Sequence, residues 1–310
     1  MARHGRLRRL RRLEGLDPVR DFHEIYRATV TLEFPWDMKQ ALSFALFRTY
    51  AVPGIGELLA RTGEFTRRTQ KRYDDTALIL DAVIEHGFGT SQARDAFRRM
   101  NQMHGAYPIA NDDMRYVLST FVVTPVRWLA AYGWRPMAGI EKAASVTYYR
   151  AVAQHMNIRA VPETYAGFEQ LMDGYEREHF AFSAGGRAVA DATLDLLGTF
   201  PPFRVLPARL VRPAAYALMD DPLLAAFRFP RPNPVLRTAV RTALAARGRA
   251  GRWQPPRAEP RFARQNSGIR SYPDGYDLAE LGTFPGEAGA GPIGAGPVGA
   301  GPVGAGPAGG

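Results

Sequence analysis

Cysteine is absent from this chain of 310 residues. Its absence excludes disulfide bonds, thiolate metal sites, a cysteine nucleophile and any haem or iron–sulfur cluster held by cysteine. Histidine is then the only good nitrogen ligand for a metal, and the chain has six. Any site that needs a nitrogen ligand would therefore have to use one of these histidines.

Lysine is nearly absent as well, since Lys39, Lys71 and Lys142 are the only lysines among 40 basic residues. The net charge of +10 is therefore carried almost entirely by arginine. Such a skew is more easily explained by a GC-rich genome than by a binding partner, and the basic N-terminal segment has no interleaved aromatic residues for base stacking. No specific nucleic acid is expected as a partner.

The sequence also lacks a uniform apolar run long enough to span a membrane. Its longest apolar stretches, residues 41–60 and 116–134, are interrupted by charged residues and prolines. The Arg-rich start, residues 1–13, is followed by no apolar segment of the kind found in secretory signals. We therefore expect a cytoplasmic protein, although an Arg-rich amphipathic segment can also lie peripherally on an anionic membrane surface.

What the sequence does contain indicates one well-buried helical core. A hydrophobic fraction of 46% against 23% charged residues is ample for a core of this size. Helical periodicity broken by glycine and proline recurs, while alternating strand patterns are scarce. We predict an all-α fold with a single globular domain over residues 21–250, after a basic arm over 1–20. An Arg/Pro-rich surface strap is predicted over 251–285, and a disordered Gly/Ala/Pro repeat tail over 286–310.

Terminal residues predict the individual helices. Asp37 is predicted to cap one helix, and Asn111 is predicted to cap a long helix that Pro125 kinks. Glycine just beyond the last turn predicts helix ends at Gly87 and Gly105. The predicted helices are 37–47, 72–86, 91–104, the long helix from 111, one after Pro162, and 189–197, 211–227 and 234–246.

His104 is the first candidate for chemistry. It shares an apolar helical face with Phe97, Met100 and Asn101, at offsets of seven, four and three residues. An imidazole in that place could ligate a metal. A histidine that is hydrogen-bonded in the core, or that stabilises a helix end as a cation, would show the same spacing. Spacing alone leaves both interpretations open.

Arg72 and Thr76 are the second candidates, because they lie four residues apart on one helical face. A guanidinium and a hydroxyl placed in this way could hold a carboxylate or a bound oxygen species. The alternative is a solvated helix start in which Arg72 pairs with Asp74 and Asp75.

Acidic residues give a third group. Glu176 and His179 form a Glu-x-x-His pair, which is half of the motif of helical di-iron carboxylate proteins. The second half is missing, so a di-iron oxygenase is kept as an alternative. Asp112 and Asp113 look like paired catalytic carboxylates, but they fall in the first turn of a predicted helix, where negative charge stabilises the helix dipole. We interpret them as structural.

Several longer blocks stand out along the chain. They are Ala45–Pro53 (ALFRTYAVP), Lys71–Thr76 (KRYDDT), Met100–Gly105 (MNQMHG), Asn111–Asp113 (NDD), Tyr116–Phe121 (YVLSTF), Pro125, Arg127 and Trp128, Tyr132–Pro136 (YGWRP), and Tyr175–Phe180 (YEREHF). Taken in order, these blocks resemble the MpaB-like oxygenase family, which includes the rubber oxygenases called latex clearing proteins. The likeness extends over roughly residues 20–250.

The resemblance implies an all-helical fold that holds one haem b through a helical histidine, and an oxygen-dependent attack on a hydrophobic, often isoprenoid, substrate. His104 matches that histidine, while Arg72 and Thr76 match an Arg and a Thr that line the haem pocket of rubber oxygenases. Arg72 would bind a haem propionate or steer the oxygen. Asp75 stands where rubber oxygenases have a lysine, so the role of that lysine does not carry over and rubber is not the expected substrate.

The remaining candidates follow from this resemblance. The predicted apolar wall of the cofactor site, which would exclude water, consists of Phe97, Met100, Val117 and Phe121. A carboxylate base, which removal of an allylic proton requires, could be Glu57 or Glu64. The sequence thus favours a haem b-dependent oxygenase that acts with O2 on an apolar small molecule. The alternatives are a di-iron oxygenase and an Arg-rich protein that binds nucleic acid or a membrane surface without catalysis.

Overall fold

α-Helices build the described architecture. The computed structural model describes residues 2–200, 203–205 and 207–283, and these residues contain 14 α-helices and no β-strand. The helices are α1 (Ala2–Glu14), α2 (Phe22–Ala28), α3 (Pro35–Thr49), α4 (Pro53–Thr62), α5 (Glu64–Arg67), α6 (Thr69–His86), α7 (Ser91–Gly105), α8 (Asn111–Tyr132), α9 (Gly139–His155), α10 (Tyr165–His179), α11 (Ala184–Leu197), α12 (Ala208–Leu218), α13 (Asp221–Phe227) and α14 (Pro234–Gly251). The predicted all-α class is confirmed. The predicted repeat tail lies outside the described residues.

Helix α8 lies at the centre of the molecule. It packs against α3, α9, α10 and α14, because buried residues are spread around most of its circumference. Pro125 lies inside it, and the helix continues through that residue. The prediction that Asn111 caps α8 is wrong, because its amide instead accepts a hydrogen bond from the Arg159 N–H at 2.9 Å and donates one to the Arg159 carbonyl at 3.2 Å. These two hydrogen bonds join the start of α8 to the segment after α9.

Helices α6 and α7 form an adjacent pair that carries the main candidate residues. α6 is followed by Gly87 with a φ of +80°, as predicted for a glycine that closes a helix. α7 begins after Thr90, whose hydroxyl accepts a hydrogen bond from the Ala93 N–H at 3.2 Å. Gly105 is the last residue of α7 instead of the residue beyond it, so this helix is one residue longer than predicted.

Other predicted boundaries also differ from the structure. α6 begins at Thr69, α11 begins at Ala184, and α14 extends to Gly251. α3 starts two residues before Asp37, whose carboxylate is buried and accepts a hydrogen bond from Arg247 at 2.7 Å instead of capping the helix. The segment 211–227, predicted as one helix, forms α12 and α13. The break occurs because Asp220 caps α13 through a backbone N–H at 3.0 Å.

The basic arm is a helix whose far end packs on the body of the molecule. Leu13 of α1 is buried in a small apolar cluster with Ile25 and Ala144. Arg9 of the same helix pairs with Glu33 at 2.7 Å. None of the helices described above combines the length and the apolar character that crossing a bilayer requires.

The C-terminal strap, residues 252–283, runs from the end of α14 back across α6 and α7. A 3₁₀ turn at Ala263–Gln265 packs on α6, and another at Leu278–Glu280 packs on α7. Phe262 and Leu281 of the strap are buried. The strap therefore contributes to the core, beyond the surface position that its composition predicts.

Candidate functional site

His104 lies in the last turn of α7 and is oriented by its own helix. A carbonyl oxygen only accepts, so the 2.8 Å contact between Nδ1 and the Met100 carbonyl places the ring proton on Nδ1. Burial lowers the pKa of His104, and the positive charge of Arg72 lowers it further. The imidazole is therefore neutral at pH 7. Its Nε2 has no hydrogen-bond partner among the described residues and offers a free lone pair.

Arg72 and Thr76 face the same region from α6. The guanidinium donates to the Thr76 hydroxyl and lies over the Phe65 ring, 5.1 Å from its centroid. Arg72 forms no ion pair with any described residue, and desolvation lowers its pKa. An arginine stays charged even so. A largely desolvated cation without a counter-ion is suited to bind an anionic ligand.

The solvated alternative for Arg72 does not match the structure. Asp75 is buried and pairs with Lys71 at 2.9 Å. Asp74 is fully buried and accepts hydrogen bonds from the strap, including one from the Ser271 hydroxyl at 2.7 Å. Both acidic neighbours of Arg72 are thus engaged with other groups, and neither forms an ion pair with its guanidinium.

A small apolar cavity of about 20 Å³ lies among α3, α6, α7 and α9. It is lined by Leu42, Leu80, Val83, Ile84, Phe97, Met100, Tyr148, Tyr149 and Val152. Leu80 continues the α6 face of Arg72 and Thr76, and Met100 continues the α7 face of His104. Met100 therefore lines the cavity, whereas His104, Arg72 and Thr76 lie outside its lining, with the charge of Arg72 acting on His104.

Phe121 stands behind this cavity. Its ring stacks on Tyr149, with the ring centroids 5.9 Å apart. Phe121, which belongs to α8, therefore supports Tyr149, a residue that lines the cavity. Sequence reasoning missed Phe65 under Arg72, and it missed Leu80. Leu80 could have been found, because its offsets of four from Thr76 and eight from Arg72 place it on their face.

The two candidate bases lie in different surroundings. Glu64 is 5% exposed, one carboxylate oxygen pairs with Arg68 at 2.5 Å, and Oε2 is buried without a hydrogen-bond partner among the described residues. Its charge also acts on Arg72. Glu57 accepts a hydrogen bond from the Gly185 N–H at 2.8 Å, at the start of α11. Glu64 thus belongs to the region of Arg72, whereas Glu57 stabilises a helix N-terminus.

Glu176 and His179 do not converge. Glu176 accepts a hydrogen bond from Arg48 Nε at 2.7 Å and from the Tyr116 hydroxyl at 3.1 Å. His179 is exposed and bonds through Nδ1 to the Tyr175 carbonyl at 3.0 Å. Across the part of the chain that the structure describes, no three His, Asp or Glu side chains stand close enough to hold a metal ion.

Asp112 and Asp113 occupy the first turn of α8, as their structural interpretation requires. Asp112 pairs with Arg115 at 2.9 Å, and Asp113 accepts a hydrogen bond from the Tyr175 hydroxyl at 2.7 Å. Both carboxylates are engaged in contacts that fix the start of α8.

Comparison with known proteins places these residues in a family context. Residues 36–250 match the family model described as "ER-bound oxygenase mpaB/B'/Rubber oxygenase, catalytic domain". The ER-bound oxygenase mpaB of Penicillium roqueforti is 32% identical over 197 residues, which cover 57% of this chain and 66% of the relative. The ER-bound oxygenase mpaB' of Penicillium brevicompactum is 29% identical over 253 residues, which cover 75% of this chain and 59% of the relative.

A third relative, the mpaB of Penicillium brevicompactum, is 31% identical over 153 residues, which cover 47% of this chain and 39% of the relative. The chain thus spans less than two thirds of the length of these relatives. All three are named ER-bound, and this contradicts the cytoplasmic location expected from the sequence. That expectation relied on apolar runs and signals, which carry no information about attachment through a folded surface.

Proposed function

The chain belongs to the oxygenase family of the ER-bound enzymes mpaB and mpaB' and the rubber oxygenases, and on this basis we propose that it uses haem b and O2 to oxidise an apolar small molecule. The matched residues, 36–250, include every candidate site residue named above. Oxygenases are oxidoreductases, so the family gives the reaction class. The cofactor and the substrate class are our proposals.

The observation that carries the proposal is the state of His104. A metal-binding histidine characteristically donates its second ring N–H to a carbonyl or carboxylate, which fixes the tautomer and the ring plane. His104 has this arrangement, with Nδ1 bonded to the Met100 carbonyl at 2.8 Å and Nε2 without a described partner. Neutral imidazole is also the form that ligates iron. His104 is therefore the residue proposed to hold the iron.

The surrounding residues fit a haem. Haem b combines an apolar macrocycle with two propionates, so its site needs apolar walls and a cation. Arg72 supplies a cation that forms no ion pair with the described residues, and Leu80, Phe97 and Met100 supply apolar side chains nearby. The cavity that these three residues line measures about 20 Å³, so it would have to widen to hold a macrocycle. When bound, the haem would supply the oxygen chemistry. The residues of the chain would bind it, orient it and exclude water.

Each remaining residue has a proposed task. Arg72 would bind a propionate, and Thr76 would hold the guanidinium in place through the hydrogen bond between their side chains. Glu64 is the proposed proton acceptor for an allylic substrate carbon, because its Oε2 is buried and without a described partner. Glu57 is the weaker candidate, since its carboxylate holds the start of α11.

An apolar, isoprenoid-like substrate agrees with the aliphatic, aromatic and thioether side chains around the cavity, which at about 20 Å³ would have to widen to admit it. Asp75, which stands where rubber oxygenases have a lysine, pairs with Lys71 and faces the strap. The substrate is therefore proposed to be smaller than rubber.

Association with a membrane surface completes the proposal. The relatives are named ER-bound. In this chain, Arg8 and Arg11 of α1 and Arg252 after α14 are exposed, and so is Trp253 at 64%. Arginine and tryptophan both suit the headgroup region of an anionic bilayer. Such a location would give an apolar substrate a short path to the protein.

The test is an absorption spectrum with iron analysis of the protein from haem-supplemented cells, beside His104→Ala and the control His86→Ala. His86 is exposed at the end of α6, so its loss leaves the candidate site intact. We expect a Soret band in the parent and in the control, and its loss in His104→Ala. A parent without a Soret band after haem reconstitution would reject the haem proposal. Two irons per chain in that protein would favour a di-iron centre instead.

A further inference from the structure

The strap is anchored to the outer face of α6 by a buried carboxylate. Asp74 accepts hydrogen bonds from the backbone N–H groups of Arg270 at 3.0 Å and Ser271 at 2.9 Å, and from the Ser271 hydroxyl at 2.7 Å. Asp74 is fully buried. A buried carboxylate with three such donors fixes the position of the strap backbone against the helix.

The next strap residues reach the level of the candidate site. The Tyr272 hydroxyl donates to Asp75, and Lys71 donates to the Gly282 carbonyl at 3.1 Å. Lys71 and Asp75 are also paired with each other at 2.9 Å. Lys71 directly precedes Arg72 in the sequence, and Asp75 directly precedes Thr76. The strap therefore binds α6 at positions next to the site residues.

The end of the strap contacts α7 close to His104. Arg99 donates to the Leu281 carbonyl, and Leu281 itself is fully buried. Gly282 presses on Met103, because a Cβ placed on this glycine would overlap the Met103 sulfur. Met103 directly precedes His104. The peptide at 281–282 is thus tied to α6 through Lys71 and to α7 through Arg99 and Met103.

We propose that the strap segment 272–282 is a spacer that sets the distance between Arg72 and Thr76 on α6 and His104 on α7. Lys71, Asp75 and Gly282 are then positioning residues for a site that they do not enter. The family match ends at residue 250, so this element lies outside it. Binding sites require their groups to be held within about 0.5 Å of the working geometry, which a contact at both helices can enforce. The haem readout below rests on the proposed function, and a second readout does not.

Two glycines of the strap provide a matched experiment. Gly282 has a φ of +83° and Gly275 a φ of +105°, so alanine strains the backbone at either position. A Cβ at Gly275 meets no atom within 4 Å, whereas a Cβ at Gly282 collides with Met103. The comparison of Gly282→Ala with Gly275→Ala therefore separates the effect of displacing the Met103 side chain of α7 from simple backbone strain.

The first readout is haem affinity, measured by Soret titration of the full chain. We expect Gly282→Ala to weaken haem binding by about tenfold or more, the usual scale for a residue that orients a ligand without touching the metal. Gly275→Ala should bind haem as the parent does. Adding Met103→Ala to Gly282→Ala makes room for the new methyl group, so the double variant should recover affinity.

The second readout is the distance between α6 and α7 in haem-free protein. Because the chain has no cysteine of its own, spin labels can be attached to cysteines introduced by Ala77→Cys on α6 and Gln102→Cys on α7, and pulsed electron paramagnetic resonance measures the distance between them. If the strap segment sets the spacing of the two helices, this distance should change in Gly282→Ala and stay unchanged in Gly275→Ala. Absence of haem binding in the parent would reject the proposed function, and the label distance would still test the spacer. Equal label distances in both variants would overturn the spacer proposal.

Discussion

Arg48 lies at the centre of a largely buried ion network. Its Nε donates to Glu176 at 2.7 Å, and its Nη1 donates to Asp220 at 2.6 Å. The Tyr116 hydroxyl adds a hydrogen bond to the same glutamate at 3.1 Å. The side chains of Arg48 and Glu176 are only 14% and 9% exposed. Such a network links α3, α8, α10 and the cap of α13.

Glu176→Gln should therefore destabilise the protein without removing a cofactor. Removing one partner of a buried pair leaves an uncompensated charge, which costs about 3 kcal/mol or more. The control is Glu169→Gln on the same helix, whose pair with Arg127 is 40% exposed on each side; its cost should stay below about 1 kcal/mol. Urea unfolding measures both variants. Loss of bound iron from Glu176→Gln at unchanged stability would instead revive the di-iron alternative.

Individual residues also show which features of the candidate site the sequence can predict. The shared faces of Arg72 with Thr76 and of Met100 with His104 follow from an offset of four in a helix. The missing counter-ion of Arg72 does not follow. It depends on Asp74 being occupied by Ser271, which is 197 residues away in the chain. Local periodicity carries no information about such a partner.

At the scale of elements, the contact between α6 and the strap has a titratable component. Asp81 of α6 accepts a hydrogen bond from the Ala263 N–H of the strap at 2.5 Å. Desolvation raises the pKa of Asp81 to about 7, although that hydrogen bond and Arg264 lower it in part. The folded protein therefore keeps this carboxyl protonated at a pH where the unfolded chain has released the proton.

The contribution of Asp81 to stability should accordingly fall as pH rises from about 4 to about 7, because this group binds a proton more tightly in the folded state. Asp81→Asn removes this dependence and can still accept from Ala263. Its melting temperature relative to the parent should increase between pH 5 and pH 8. Asp95→Asn, at an exposed pair on α7, provides the control and should show no such trend. A constant difference for Asp81→Asn across this range would contradict the assignment.

The helices themselves were largely predictable, and their exceptions have physical causes. Gly87 was a reliable end signal, because only glycine takes its positive φ without strain. The prediction that Asp37 caps a helix was wrong, because an aspartate can also be a buried hydrogen-bond acceptor, as Asp37 is for Arg247. The break between α12 and α13 at Asp220 could have been predicted from the following Asp221 and Pro222, which suit a helix start.

At the scale of the whole molecule, α1 meets the start of the strap. Arg9 of α1 donates to the Arg257 carbonyl of the strap and pairs with Glu33 at 2.7 Å. The guanidinium of Arg252 lies 4.2 Å from the ring centroid of exposed Trp253. The basic faces of α1 and of the start of the strap therefore form one continuous surface.

This surface predicts binding to anionic vesicles. Replacing Arg252 and Trp253 by serine should weaken sedimentation with vesicles that contain phosphatidylserine by about tenfold, since one arginine near an anionic surface contributes about 1 kcal/mol and tryptophan adds to it. Val235→Ser, at a 76% exposed position at the start of α14, is the control. Vesicles of phosphatidylcholine alone should bind the parent weakly. Equal binding of both variants would place the membrane contact elsewhere.

The position of the spacer near the end of the described chain determines when the candidate site can reach its final geometry during protein synthesis. Arg99 and its partner Leu281 are 182 residues apart, so α6 and α7 leave the ribosome long before the peptide that bridges them. A nascent chain would therefore carry His104 and Arg72 without their spacer for most of translation. A message truncated after α14 would encode every candidate residue and still produce a site that never reaches its final geometry.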